Sequence, residues 1–179
     1  MLRRLLCLLP LAFLCGTAAA HAAPACTSRD AHYAQPGRDG FRAQFAPAGR
    51  FGGVGSDLFF VVRSRTQAFW FRFTVANGYG GVGLEPIEDP AKADEDGPRP
   101  LRAGENEPAH GLSFLAYRAD MRVLHNPPMA ATPAPRVLVL PSLPLALWYE
   151  PKTVGGAEGR VGMSLSGFVL AGCGAKRRR

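Results

Sequence analysis

The sequence predicts an all-β fold: an antiparallel β-sandwich or barrel forming a single domain, closed by a terminal disulfide. Three features carry that expectation. Several stretches place apolar residues at every second position, proline and glycine punctuate the intervals, and one cysteine lies toward each end of the expected mature chain.

The alternation is clearest in "DLFFVVRSR" (57–65), where Leu58, Phe60 and Val62 oppose Phe59, Val61, Arg63 and Arg65. In "AFWFRFTVA" (68–76), Phe69, Phe71, Phe73 and Val75 oppose Trp70, Arg72 and Thr74. A period of two sends successive side chains to opposite faces, so each stretch predicts a half-buried strand. The short connection through Thr66-Gln67 makes the two an antiparallel hairpin. The same pattern predicts strands over 111–118, 121–125, 136–140 and 145–150, with one or two more over 161–173. Leu112, Leu115, Ala119 and Val123 would also share a helical face, and the strand reading is preferred for that segment.

Sixteen prolines and 21 glycines break the remaining chain. "NPPMAATPAP" (126–135) and "PSLP" (141–144) can continue neither a helix nor a central strand, and Pro141 and Pro144 interrupt the apolar run 137–149 that would otherwise suggest a membrane span. "GGVG" occurs at 52–55 and 80–83 with no longer similarity around it, which is no repeat architecture. Gly78, Gly80 and Gly83 carry G-x-G-x-x-G spacing, yet Pro86 and Pro90 preclude the helix that a dinucleotide loop requires. Asn77-Gly78 reads instead as a hairpin turn.

The N-terminus has the pattern of a secretory signal peptide over residues 1–22: Arg3 and Arg4, an apolar run from Leu5 to Leu14 interrupted by Pro10, then small residues ending in Ala20-His21-Ala22. That run is short of the roughly 20 residues needed to span a bilayer. The expected organisation is a leader (1–22), a β domain (23–175) and a basic tail (176–179). Cleavage removes Cys7 and Cys15, leaving Cys26 and Cys173 to form a disulfide in an oxidising compartment. Closing so long a loop is worth about 4 to 5 kcal/mol in the chain-entropy account. The alternative is a lipoprotein anchored through Cys26, for which "APA" before that cysteine is a partial match.

Removing Arg3, Arg4 and the terminal Lys176–Arg179 from the 21 cations leaves a body nearly balanced against its 14 acids. A nucleic-acid surface would show a basic face or stripe instead, so no nucleic-acid partner is expected. The tail suits weak contact with an anionic surface, and no transmembrane span is expected in the mature chain.

Motifs of catalysis are incomplete. "GMSLSG" (162–167) has Ser166 where a nucleophile elbow needs glycine, and His32, His110 and His125 share no ligand spacing. The acidic stretch 85–100 offers a calcium candidate in Asp94 and Asp96, whose Asp94-x-Asp96-Gly97 fragment lacks the distal bidentate glutamate. Trp70 beside Arg72, and Trp148-Tyr149 near Pro144, are candidate ligand contacts, because an exposed aromatic next to a cation can stack a sugar ring or receive a peptide side chain.

These readings converge on an exported protein, periplasmic or secreted, that acts as a non-catalytic binding or envelope-associated module and needs no cofactor beyond the calcium candidate. Its partner is expected to be an envelope component or another protein. The runner-up is a hydrolase acting on envelope polysaccharide or peptide, with carboxylates or His110 and His125 brought together by folding.

Overall fold

The computed structural model describes residues 26–37, 40–75, 81–101, 111–155 and 159–174. The leader, the Asn77-Gly78 turn, His110 and the basic tail lie outside the described residues. Nine strands run through the described chain: β1 (Ala31–Ala34), β2 (Arg42–Pro47), β3 (Leu58–Arg63), β4 (Ala68–Val75), β5 (Val82–Ile87), β6 (Leu112–Ser113), β7 (Leu115–Tyr117), β8 (Val137–Val139) and β9 (Phe168–Cys173). One α-helix, α1 (Leu143–Tyr149), lies between β8 and β9.

The strands form one antiparallel sheet in the order β6-β5-β4-β3-β2-β1-β9-β8-β7. Its two margins, β6 and β7, are separated in sequence only by Phe114, so the sheet curls into a nearly closed barrel. At this junction the Phe114 amide donates to the Val82 carbonyl of β5 at 3.0 Å, extending the β5–β6 ladder. The expected all-β, disulfide-closed architecture is thus observed, in barrel-like form.

Alternation fills the interior with aromatic rings. Phe45 of β2, Phe60 of β3, Phe71 and Phe73 of β4 and Phe114 point inward and are buried. Phe60 lies 5.5 Å from Phe45 and 5.3 Å from Phe114, and Phe73 lies 5.2 Å from Phe114, in tilted and edge-on arrangements that rings prefer over a flat sandwich. Leu143 and Leu147, four residues apart on α1, join the same core. A smaller cluster on the outer face of the sheet gathers Ala48, Phe59 and Ile87 with Phe51 and Trp70.

Cys26 and Cys173 are bonded, with Cα atoms 5.6 Å apart across a sequence separation of 147. The bridge flanks the β1–β9 pairing, whose register sets Ala31 opposite Cys173. A sulfur held in a disulfide has no thiolate to acylate, so this bridge and a lipid anchor on Cys26 are mutually exclusive fates.

Tyr33 of β1 is buried, and its hydroxyl donates to the Pro135 carbonyl at 3.0 Å. Burial pushes its phenol well above the ordinary tyrosine range. A group whose pKa is raised on folding contributes stability that is present below the unfolded value, near 10, and is lost as pH rises toward the folded one. Stability is therefore expected to fall above about pH 10. Tyr33→Phe should be less stable near neutrality by about 1 kcal/mol, through the unpaired carbonyl, with a shallower alkaline loss. Denaturant midpoints across pH measure both.

The structure corrects several element expectations. Of residues 145–150, read as a strand, all but the capping Glu150 belong to α1: Pro144 in the first turn presets a helical φ, and Leu143 and Leu147 then face the core at helical spacing. Within 161–173 only Phe168–Cys173 is strand. The carbonyls of Ser164 and Ser166 instead accept hydrogen bonds from the Gln35 side chain at 3.2 and 2.9 Å. The segment 121–125 contributes only an isolated bridge between Tyr117 and Val123. Strands β1, β2 and β5 were not expected, and β5 starts at Val82, within the glycine-rich string, opposite β4.

Candidate functional site

The two predicted aromatic sites have different environments. Trp70 stands between Val61 of β3 and Ile87 of β5 on the outer face of the sheet. It is half-buried, the Arg63 guanidinium lies 5.4 Å from its ring, and its indole N–H is buried with no acceptor among the described residues. Arg72, directly opposite Glu85, donates through Nε at 3.0 Å and through its terminal nitrogen at 2.5 Å to one Glu85 oxygen. The stretch after β5 lies over this face: Glu88 and Leu101 pair with the backbone of Arg99 and Pro86, Arg50 donates to the Glu95 carbonyl at 2.9 Å, and Gly97 abuts the Phe51 ring. Trp70 thus belongs to the second core, and the Arg72 guanidinium is held by a cross-strand carboxylate.

Asp94 and Asp96 lie in this covering loop. One Asp94 oxygen accepts from the Asp96 amide at 3.1 Å and the other from Arg99 at 2.5 Å. The Arg99 hydrogen bond, followed by the Asp96 amide, holds the Asp94 carboxyl below the usual carboxylate range. Among the described residues no three His, Cys, Asp or Glu side chains gather as a metal set.

Trp148 and Tyr149 fall on α1, where they help to line an open groove of about 220 Å³. The helix forms one wall with Pro144, Leu145, Trp148 and Tyr149, and the segment before β9 forms the other with Gly162, Met163 and Leu165. Several contacts fix this second wall. The Val161 amide donates to the Leu147 carbonyl at 3.0 Å, Met163 packs against the main core, and Gln35 grips the carbonyls of Ser164 and Ser166. Leu145, Trp148, Tyr149 and Leu165 nonetheless stay 56, 43, 71 and 71% exposed, a concentration of apolar surface that scattered surface residues do not produce. At the groove's edge the Arg160 guanidinium lies 5.5 Å from the Trp148 ring.

The other candidates do not join it. One ring nitrogen of His32 lies 2.6 Å from the Gly174 carbonyl, and His125 is exposed on the loop after the Tyr117–Val123 bridge. The Ser166 hydroxyl donates to that of Ser164 at 3.1 Å. Leu145, Met163 and Leu165 were not expected at a site. The available signal was that Leu143 and Leu147 share one helical face, while Leu145, Trp148 and Tyr149 share the other.

Fold and groove define the class: a disulfide-closed, nearly complete β-barrel with an exposed aromatic and aliphatic groove beside helix α1. Compared with known protein families, characterised proteins and solved structures, the chain shows no match.

Proposed function

We propose that this chain is an exported binding module, and that the groove between α1 and residues 161–165 takes an apolar group of its partner. The observation that carries the reading is the retained exposure of Leu145, Trp148, Tyr149 and Leu165 beside a wall that is rigidly held. Apolar surface left open in a fixed concave shape is what a binding site needs, because the partner's apolar group then gains burial without ordering the protein. Export is supported by the leader-like pattern of residues 1–22 and accords with a disulfide. Trp70 and Arg72 are assigned no contact role, since packing and an ion pair already engage them.

One experiment tests both parts. Protein is recovered from the export fraction of producing cells, its intact mass placing the N-terminus at Ala23, and is titrated with the neutral fluorophore N-phenyl-1-naphthylamine. Saturable binding is expected, with amide shifts confined to 143–149 and 161–165, and at least tenfold weaker binding in Leu145→Ser/Leu165→Ser. Absence of saturable binding, or equal binding by the variant, overturns the groove assignment. A mass that retains residues 1–22 overturns export.

A further inference from the structure

The groove lies at one particular end of the barrel, and that end carries cations with no carboxylate partner among the described residues, two of them, Arg63 and Arg160, lying over the Trp70 and Trp148 rings. In an antiparallel sheet, strand ends alternate, so the ends of β1, β3 and β8 and the starts of β2, β4 and β9 share one rim. Helix α1 follows β8 there, and the other groove wall leads into β9. Arg42 opens β2 and Arg63 closes β3, and the two stand directly opposite each other. Arg65 follows in the β3–β4 turn, and Arg160 sits at the groove edge. All four are exposed, and among the described residues none has a carboxylate within salt-bridge distance; the two ion pairs present are Arg72–Glu85 and Arg99–Asp94. Lys152 adds a further cation after α1, while Glu88, Asp89 and Glu150 are the acids nearest this rim in sequence.

Two features of this rim oppose folding and solubility when nothing is bound. Like charges directly opposite on a sheet repel, and α1 (Leu-Pro-Leu-Ala-Leu-Trp-Tyr) is apolar around its whole circumference while half of it faces solvent. An anionic bilayer surface relieves both. Leu145, Tyr149 and Leu165 would enter the headgroup and acyl boundary, Trp148 and Tyr149 would sit where amphipathic rings favour the interface, and the arginines would meet lipid phosphates. The groove is open along one side, and its apolar residues project beside a cation, which fits a surface better than a buried peptide anchor.

We infer that the rim formed by α1, residues 160–165 and Arg42, Arg63 and Arg65 docks this protein peripherally on an anionic lipid surface. The inference rests on the groove reading above and gives its partner a chemistry. Among the described residues no helix is long and apolar enough to cross a membrane.

The test uses the full chain, with every variant processed identically, and sediments it with vesicles of phosphatidylcholine alone or mixed with phosphatidylglycerol. A Trp70→Phe background leaves Trp148 as the reporting indole. Binding is expected to the mixed vesicles, weakened by salt, with a blue shift of Trp148 emission. Leu145→Ser/Leu165→Ser should lose at least tenfold in partitioning, and Arg63→Gln/Arg65→Gln about fivefold per arginine. Both sets replace exposed side chains, and the thermal midpoint shows that each variant is folded. Removal of residues 176–179 should leave the Trp148 shift in place. The proposal is overturned if mixed vesicles do not bind, if the groove or arginine variants bind as well as the parent, or if removing the tail alone abolishes the Trp148 shift. Saturable naphthylamine binding without vesicle binding would overturn the membrane proposal and leave the groove reading intact, pointing to an apolar protein segment. Loss of naphthylamine binding would remove both.

Discussion

Phe60→Ala is expected to lower the stability of this protein by about 3–5 kcal/mol. Phe60 is fully buried and its ring neighbours four others: Phe45, Phe71, Phe73 and Phe114, at centroid distances of 5.5, 6.2, 6.5 and 5.3 Å. Removing the ring forfeits its transfer free energy, its edge-on and tilted aromatic contacts and the packing of a site walled by sheet. Strands hydrogen-bonded on both sides cannot move inward to fill the gap, because β3 is fixed to β2 and β4 along its length. The loss would use from about a fifth to the whole of the roughly 5–15 kcal/mol that stabilises a typical domain. Urea unfolding should show a lower midpoint at an unchanged slope. A loss below about 1.5 kcal/mol would show that the barrel interior collapses readily and is less tightly packed than these distances indicate.

The inward face of β3 and β4 was legible because alternation is a local signal. Leu58, Phe60 and Val62 and then Phe69, Phe71 and Phe73 declare their common side within a few residues of each other. Strands β1 and β2 were not legible for the complementary reason. Ala31 and Tyr33 give β1 only two buried apolar positions, and Phe41, just before β2, makes three with Ala43 and Phe45, a small alanine in the middle, too few for a period to stand out, so pairing with β9 and β3 makes them strands. Strand β5 was hidden by Pro86, which sits opposite Phe71 beyond the end of the short β6, where only the single bridge of Ile87 to Pro100 continues the sheet and a missing amide costs little.

The site was half legible. Trp148 and Tyr149 stood out as aromatic residues, but their neighbours depend on secondary structure: in a strand, Trp148 would pair with Ala146, whereas the helix sets it beside Leu145 and Tyr149. Pro144 decided the matter against the expectation, since a proline that stops a helix in its interior favours one in its first turn. The opposite wall was invisible locally, because Met163 and Leu165 are placed by Gln35, a residue about 130 positions earlier that reaches Ser164 and Ser166. The disulfide, by contrast, was readable across 147 residues, because cysteine arithmetic left a single partner for each sulfur once the leader was set aside.

Replacing both bridge cysteines, Cys26→Ser/Cys173→Ser, is expected to cost about 2–5 kcal/mol with little change in the folded contacts. The folded ends have other ties. The Ala134 amide donates to the Cys26 carbonyl at 2.8 Å, the Ser28 amide to the Thr132 carbonyl at 2.9 Å, and β1 remains paired with β9. What the bridge removes is freedom of the unfolded chain, in which the separation of 147 residues makes a spontaneous meeting of the ends rare. Two readouts follow from that mechanism. The denaturant midpoint should drop, and the slope should rise, because an uncrosslinked unfolded chain exposes more surface. A protein that lost folded contacts instead would show frayed amides over 26–34 and 168–174 at low denaturant, before the global transition. A loss below about 1 kcal/mol would mean that the unfolded chain already holds its ends together, and the bridge would then serve the oxidised state of the protein more than its stability.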